Sequence, residues 1–392
     1  MAIKRQRLAA QRRKVGYSQE ALAAGLGVDR TTVIRWETTD TEPQPWLRPK
    51  LARVLGVTTD ELHELLADVE EVASSTDASR LLFALRSPSQ VDSATIAGLG
   101  DQLAAIGQRY EHTPSAALLA EAGELHAQVA LLLSNVGTDQ LRRELFALQA
   151  TSATCLGQLV WDASGRRDHL STRAYYDQAV SAAQETGDVV AEGHARLRSS
   201  FVHLYGRPVV RDPVAGRDLA ETAVASADGT SHALAGLAWL HVGEAHAMTS
   251  EYRLCEKALA QAEQHFNNFS ADDPGAELFS SSQFGRLSGS CYLFLGSPER
   301  AEPILQATVA QLGDRQKSRS LVLGNLALSF IRQRKLDEAT ATLHNAIDIL
   351  EQSRGAAGLT IAFGAGRELY PWRAEPAVQD VTDRLLSLMA VS

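Results

Sequence analysis

Cysteine, lysine, aromatic residues and long apolar runs are all scarce in this 392-residue chain. Its three cysteines, Cys155, Cys255 and Cys291, lie too far apart for a CxxC metal site or a small disulfide framework, so a reducing, cytoplasmic setting is expected. Aromatics are only 6% of the residues while alanine and leucine abound, which favours closely packed helices. The longest apolar runs, such as residues 234–240, fall far short of the ~18 residues of a membrane span. No apolar signal region follows the basic N-terminus, and no membrane partner is expected. Enzymatic signatures are missing too. There is no GxxxxGK[ST] phosphate loop, and the glycine-rich run at 355–366 carries no lysine. His241 and His246 are five apart, which does not place them on one helix face as HExxH requires. The run GRLSG at 285–289 has its serine at the wrong place for a nucleophile elbow. The expectation is a protein without catalytic residues, metal or cofactor.

What the chain does contain is unevenly charged. Its net charge is −9, yet residues 1–57 hold eleven Lys/Arg against five Asp/Glu, and the remainder holds 27 against 42. A length near 400 residues predicts two or three domains. The asymmetry points to a small anion-binding module on a large acidic body.

Residues 4–14 read as a helix stopped at Gly16. Ser18 caps a second helix in which Leu22 and Leu26 share a face, and Gly25 and Gly27 supply the turn. Asp29 opens a third helix that buries Val33 and Trp36 and turns Arg30, Thr31, Thr32 and Arg35 outwards. Pro43 and Pro45 break the chain, and two short helices follow near 47–55 and 59–66. Two helices joined by a tight turn, the second exposing short polar and guanidinium side chains, describe a helix-turn-helix.

The run Ser18-Gln19-Glu20-x-Leu22-Ala23-x-x-Leu26-Gly27-Val28, then Thr32-Val33-x-x-Trp36-Glu37, Pro43 and Leu55-Gly56-Val57, resembles the Xre/λ-repressor-type DNA-binding family over residues 4–66. The resemblance implies that the third helix enters the major groove of double-stranded DNA. Arg30 is then the principal base reader, Thr31 and Thr32 meet a thymine methyl or a phosphate, and Arg35 a phosphate or second base. Gln19 matches a position that contacts phosphate in this family, and Arg12, with Arg5, Arg13, Lys14, Arg48 and Lys50, adds charge toward the backbone.

Residues 68–90 change character, with an acidic stretch, a Ser/Thr cluster and Pro88, and read as a partly helical connector between a 1–67 domain and a 91–392 body. The body carries amphipathic helices and no alternating strand pattern, so the expected fold class is all-α. Its repeats are visible in spacing. Trp239, Gly243, His246, Ser250 and Cys255 recur as Gly285, Gly289, Tyr292, Gly296 and Ala301, and again as Leu323, Ala327, Phe330, Arg334 and Ala339. Small residues at positions 8 and 20 let paired helices approach, and position 15 is a turn. This pattern resembles the tetratricopeptide repeat over 139–354, with a degenerate earlier unit ending at Gly206 and another around Trp161. The resemblance implies an α-solenoid whose first helices line a groove through positions 2, 5, 9 and 12. That frame selects Arg196, Ser200 and His203, then Leu240 and Glu244, then Gln283, Arg286 and Ser290, then Leu328 and Ile331, with Asn325 and Arg332 beside them. Guanidiniums, a carboxylate and hydroxyls amid apolar walls suit a peptide or a polar small molecule.

The joined architecture resembles the peptide-sensing RRNPP regulators, known for quorum sensing, and the actinobacterial Xre–tetratricopeptide regulators. It implies a homodimeric transcription regulator on a dyad-symmetric operator, controlled by a peptide or small-molecule effector. The alternative is a protein-interaction scaffold that its head tethers to DNA.

Overall fold

The computed structural model describes residues 6–38, 41–66 and 69–390, all helix, turn or loop, with no strand among them. Arg5 and Asp68, at the basic start and the head of the connector, lie outside these residues. The chain divides into two compact units, one ending at Ser87 and the other starting at Pro88.

The first unit contains α1 (Gln6–Lys14), α2 (Gln19–Leu26), α3 (Arg30–Thr38), α4 (Arg48–Leu55), α5 (Thr59–Leu66) and α6 (Val69–Arg86). Local chemistry sets its ends. Ser18 caps α2 by accepting the Ala21 N–H at 3.0 Å, and Gly27 closes it at φ +79, where a side chain would be strained. Thr58 and Glu61 cap α5 reciprocally, Thr58 Oγ1 accepting from the Glu61 N–H at 3.1 Å and Glu61 Oε2 from the Thr58 N–H at 2.7 Å. Leu22, Leu26, Val33, Trp36, Leu51, Leu55 and Leu62 close over one core. The 68–90 connector is helical over Val69–Arg86 and leaves Leu82 and Phe83 exposed.

The body holds α7 (Ser93–Arg109), α8 (Ser115–Leu133), α9 (Asp139–Ala163), α10 (His169–Thr186), α11 (Val189–Tyr205), α12 (Pro213–Ala227), α13 (His232–Met248), α14 (Tyr252–Asn267), α15 (Ser282–Phe294), α16 (Pro298–Gln311), α17 (Gln316–Arg332), α18 (Leu336–Ser353), α19 (Ala356–Glu368) and α20 (Pro376–Ala390). From α9 onwards the helices pair with their sequence neighbours, and the odd-numbered helices α9 to α19 also touch one another in succession. This is the stacking of a solenoid, with one helix of each pair inside and one outside. The repeat spacing explains the close approach. Cys255, Ala301 and Ala339 at position 20 are fully buried, and a Cβ at Gly289, position 8, would stand 2.5 Å from Leu305. At position 15 the three turn residues share one conformation: Ser250, Gly296 and Arg334 lie at φ +62, +70 and +60. Two of them adopt the left-handed region without being glycine.

By length and composition α8 could cross a membrane, with a mean hydropathy of 1.3 over its apolar window. It packs along α9 instead, burying Leu118, Leu125, His126, Val129 and Leu132. The glycine-rich 355–366 run is not a phosphate loop but α19, whose Gly358 lies close against Ser320 and Leu350.

The body closes on itself. Lys317 at the start of α17 donates from Nζ to Ser115 Oγ at 2.7 Å and to Asp162 Oδ2 at 3.0 Å, and stands 4.0 Å from the Tyr110 ring centre. The other oxygen of Asp162 accepts the Ala356 N–H at 2.7 Å. Glu111 accepts from the Ser318 hydroxyl and N–H at 2.7 and 3.0 Å and pairs with Arg315 at 3.3 Å. Helices α17 and α19 are thereby tied to the segment from Tyr110 to Asp162.

Candidate functional site

The first unit presents α3 to solvent. Arg30, Thr31 and Arg35 are exposed and Thr32 is half-buried, while Val33 and Trp36 on the opposite face are in the core. Arg30 is held to Glu20 at 2.8 Å in a pair more than half exposed at both ends. Exposed pairs of this kind contribute about 0–1 kcal/mol, so Glu20 does not lock the Arg30 guanidinium in place.

Arg12 departs from the sequence reading, which gave it a phosphate to contact. Arg12 is only 7% exposed; its guanidinium bonds Glu37 at 2.7 and 3.3 Å and the Tyr17 carbonyl at 2.7 Å. Gln19 donates to the same Glu37 carboxylate at 2.7 Å. Glu37, near the end of α3, thus ties α1 and the start of α2 to the outward-facing helix. Sequence reading placed Arg12 among surface cations because nothing local distinguishes it from Arg13; the difference is a partner 25 residues away.

In the body the inner helices enclose a cavity of about 410 Å³. A ligand site of that size lies at the small end of the usual range. Glu244 is its buried anion. It accepts the Tyr205 and Ser290 hydroxyls, the latter at 2.6 Å, and His241 Nδ1 meets the Tyr205 oxygen at 2.6 Å. Because the Tyr205 proton goes to Glu244, His241 Nδ1 is the protonated nitrogen in this chain of bonds. Burial pushes Glu244 up, opposed by Ser290, Tyr205, Arg286 and Arg166. Burial, aided by Arg286 and Arg198, holds His241 well below the usual imidazole range, and the ring is neutral.

The cavity wall is cationic. Arg166, Arg198, Arg211, Arg286, Arg315 and Lys317 line it against Glu111, Asp162 and Glu244. Glu111 and Asp162 are engaged by Arg315 and Lys317. Arg166 lies 5.3 Å from the Tyr205 ring centre and Arg198 5.0 Å from that of Phe201. Among the described residues, two buried donors in the wall have no acceptor, Arg198 Nε and Trp161 Nε1.

Of the groove residues read from the repeat frame, Glu244, Gln283, Arg286 and Asn325 line this cavity, together with Ser290 and Leu328. Gln283 is spent on its own turn, donating to the Leu278 carbonyl at 2.9 Å. Arg196, Ser200, His203 and Arg332 do not line it. Arg196 pairs with Glu192 one turn back at 2.7 Å, and fully buried Ser200 bonds the Leu197 carbonyl at 2.6 Å. His203 faces Arg173 and Asp212, and Gly216 on α12 lies close against it. Arg332 is bound to Glu368 and the Leu293 carbonyl at 2.8 and 2.7 Å. The error in α11 is a register slip. The repeat frame ends this unit at Gly206, but Gly206 lies at φ −65, outside the left-handed region of the other repeat turns, and a connection through 212 follows. A shift of one residue rotates a helix by about 100° and puts Ser200 at the small buried position. Arg198, Phe201 and Tyr205, three and four apart, then face inwards.

Residues 8–62 match the helix-turn-helix family HTH_3. No curated protein matches the chain by sequence. Among solved structures, it is similar to a Rap protein complexed with competence and sporulation factor, at 9% identity and a TM-score of 0.44, covering 75% of this chain and 98% of that one. That likeness is loose and concerns helical architecture. The N-terminal unit is a helix-turn-helix of the Xre type, followed by a solenoid-like helical body.

Proposed function

We propose that this protein is a sequence-specific DNA-binding transcription regulator whose activity is set by a peptide or small molecule held in the cavity of its body. The observation that carries the reading is the exposed face of α3, with Arg30 and Thr31 in its first turn and Arg35 further along turned outward, inside the segment that matches the helix-turn-helix family. In the bound state Arg30 exchanges its exposed pair with Glu20 for a guanine edge, worth about 1–3 kcal/mol of discrimination. Gln19 buttresses the reading helix by tying the start of α2 to Glu37 on α3. Thr32 supports the contact from the side of the helix, and Arg35 supplies a phosphate or second base contact. The protein acts as a homodimer, because one such head reads too few base pairs for a genomic address and paired heads read half-sites about one helical turn apart.

Selection of genomic DNA fragments with the full-length chain tests this, beside Arg30→Ala. A shared dyad-symmetric motif, lost in Arg30→Ala while the melting temperature holds, is the expected result. Salt-labile binding with no motif, equal in both proteins, refutes sequence reading and leaves the head as a tether for a scaffold.

A further inference from the structure

The wall of the cavity states what kind of ligand completes it. Arg166, Arg198 and Arg286 all line it, and no ion pair within 4.0 Å of a carboxylate involves them among the described residues. Glu244 faces Arg286 and Arg166, but its oxygens are already occupied by Tyr205 and Ser290. Cations in excess of the carboxylates around them are unfavourable in a site of low dielectric, and guanidinium donors left over in one place form an anion receptor. Arg198 Nε, buried with no acceptor, is such a donor. The same wall has an apolar side in Phe201, Leu237 and Phe294.

We propose that the cavity binds a small amphipathic anion, its carboxylate or phosphate group among Arg166, Arg198 and Arg286 and its apolar part against Phe201, Leu237 and Phe294. This names the effector class and rests on the reading of the body as a ligand-controlled domain. The volume of about 410 Å³ fits a single small molecule or the end of a short peptide, not an extended chain.

The test uses the full-length protein with phenyl phosphate and N-acetylphenylalanine as anions. Phenol and N-acetylphenylalanine amide are their neutral counterparts. Binding is read by calorimetry and by the rise in melting temperature. Both anions, or one of them, bind and stabilise while the neutral counterparts do not; the phosphate and carboxylate arms tell a phosphate ester from a peptide C-terminus or organic acid. Arg198→Met and Arg286→Met each weaken binding about tenfold to a hundredfold. Arg286→Lys, which keeps the charge, recovers part of it, and Arg334→Met, outside the cavity, changes nothing. Should Arg286→Met fold poorly, Arg198→Met decides. Equal binding of neutral and anionic probes, no binding of either anion, or unchanged binding in the arginine variants overturns the proposal. DNA affinity is measured separately. An anion that binds without altering it refutes the regulatory reading and leaves the ligand class standing. A DNA response to the neutral probes alone does the reverse.

Discussion

Lys317→Met removes an ammonium that bonds Ser115 at 2.7 Å and Asp162 at 3.0 Å while keeping the length and apolar character of its stem. Asp162 then remains buried with two donors, Ser115 at 2.6 Å and the Ala356 N–H at 2.7 Å, and no counter-charge at contact. Taking one partner from a buried pair costs about 3–5 kcal/mol, and the two surviving donors place this case at the lower end. Burial already pulls Lys317 below the usual ammonium range, with Asp162 opposing it, so the pair is held at a desolvation cost. A loss of about 3 kcal/mol shifts an equilibrium by roughly a hundredfold. It falls on closure rather than on the helix pairs, since the hydrophobic contacts of the repeats do not involve Lys317. Hydrogen exchange of the full-length chain should therefore lose protection around residues 110–116, 316–320 and 355–359, while α13 and α14 keep theirs. The double variant Lys317→Met/Asp162→Asn should lie closer to wild type than Lys317→Met alone, because it no longer buries an unpaired charge. Unchanged protection at these segments, or additive effects in the double variant, would refute the argument.

Arg12→Met should destabilise the first unit by about 3 kcal/mol, since it leaves buried Glu37 with Gln19 alone among its side-chain partners in the described residues; hydrogen exchange across residues 6–66 reads this, and a variant that changed only the salt dependence of DNA binding would restore Arg12 to the DNA surface. Arg334→Gly should raise stability by roughly 0.5–1 kcal/mol, because Arg334 holds φ +60 where only glycine is unstrained; a lower melting temperature would contradict it. His241→Gln should flatten the acid limb of the body's stability curve. The folded state holds His241 neutral, well below its ordinary value, and the unfolded chain takes up a proton below about pH 6.5, so stability falls as pH drops through that point. The slope from this one group is at most about 1.4 kcal/mol per pH unit, and an identical slope in His241→Gln would show that burial of this ring is not the cause.

The parts of the fold that could be read in the sequence are those fixed by neighbours in the chain. Ser18, Gly27 and Trp36 lie within one helix-turn-helix, and each acts on backbone or core only a few residues away. Turns at 250, 296 and 334 could be read because the repeat spacing puts them at one position, where the structure has one backbone conformation. What depends on distant partners was not visible. Arg12 looks like Arg13 until Glu37 is placed beside it. In α11 a glycine at 206 imitated the repeat turn, and a slip of one residue turned the frame by about 100°, hiding Arg198, Phe201 and Tyr205. Arg166 sits in a left-handed turn that no helical periodicity could assign to the cavity. The closure is further still from the sequence, since Lys317 and Asp162 are 155 residues apart and neither belongs to a recognisable motif.

Closure and cavity are built from the same residues, and this sets how a ligand can act. Tyr110, Glu111, Asp162, Lys317 and Gly355 line the cavity, and the first four also hold α17 and α19 to the segment before α10. A molecule that binds this cavity better in the closed body than in an opened one favours closure by that difference in affinity and no more. Linkage makes the effect reciprocal: if closure alters DNA affinity, DNA alters ligand affinity by the same factor. A population moved from mostly open to mostly closed needs a ratio of affinities near 10⁴. The amphipathic anion proposed above would supply it only if its charge is matched where the turn after α9 and the helices α11 and α15 bring Arg166, Arg198 and Arg286 to one cavity.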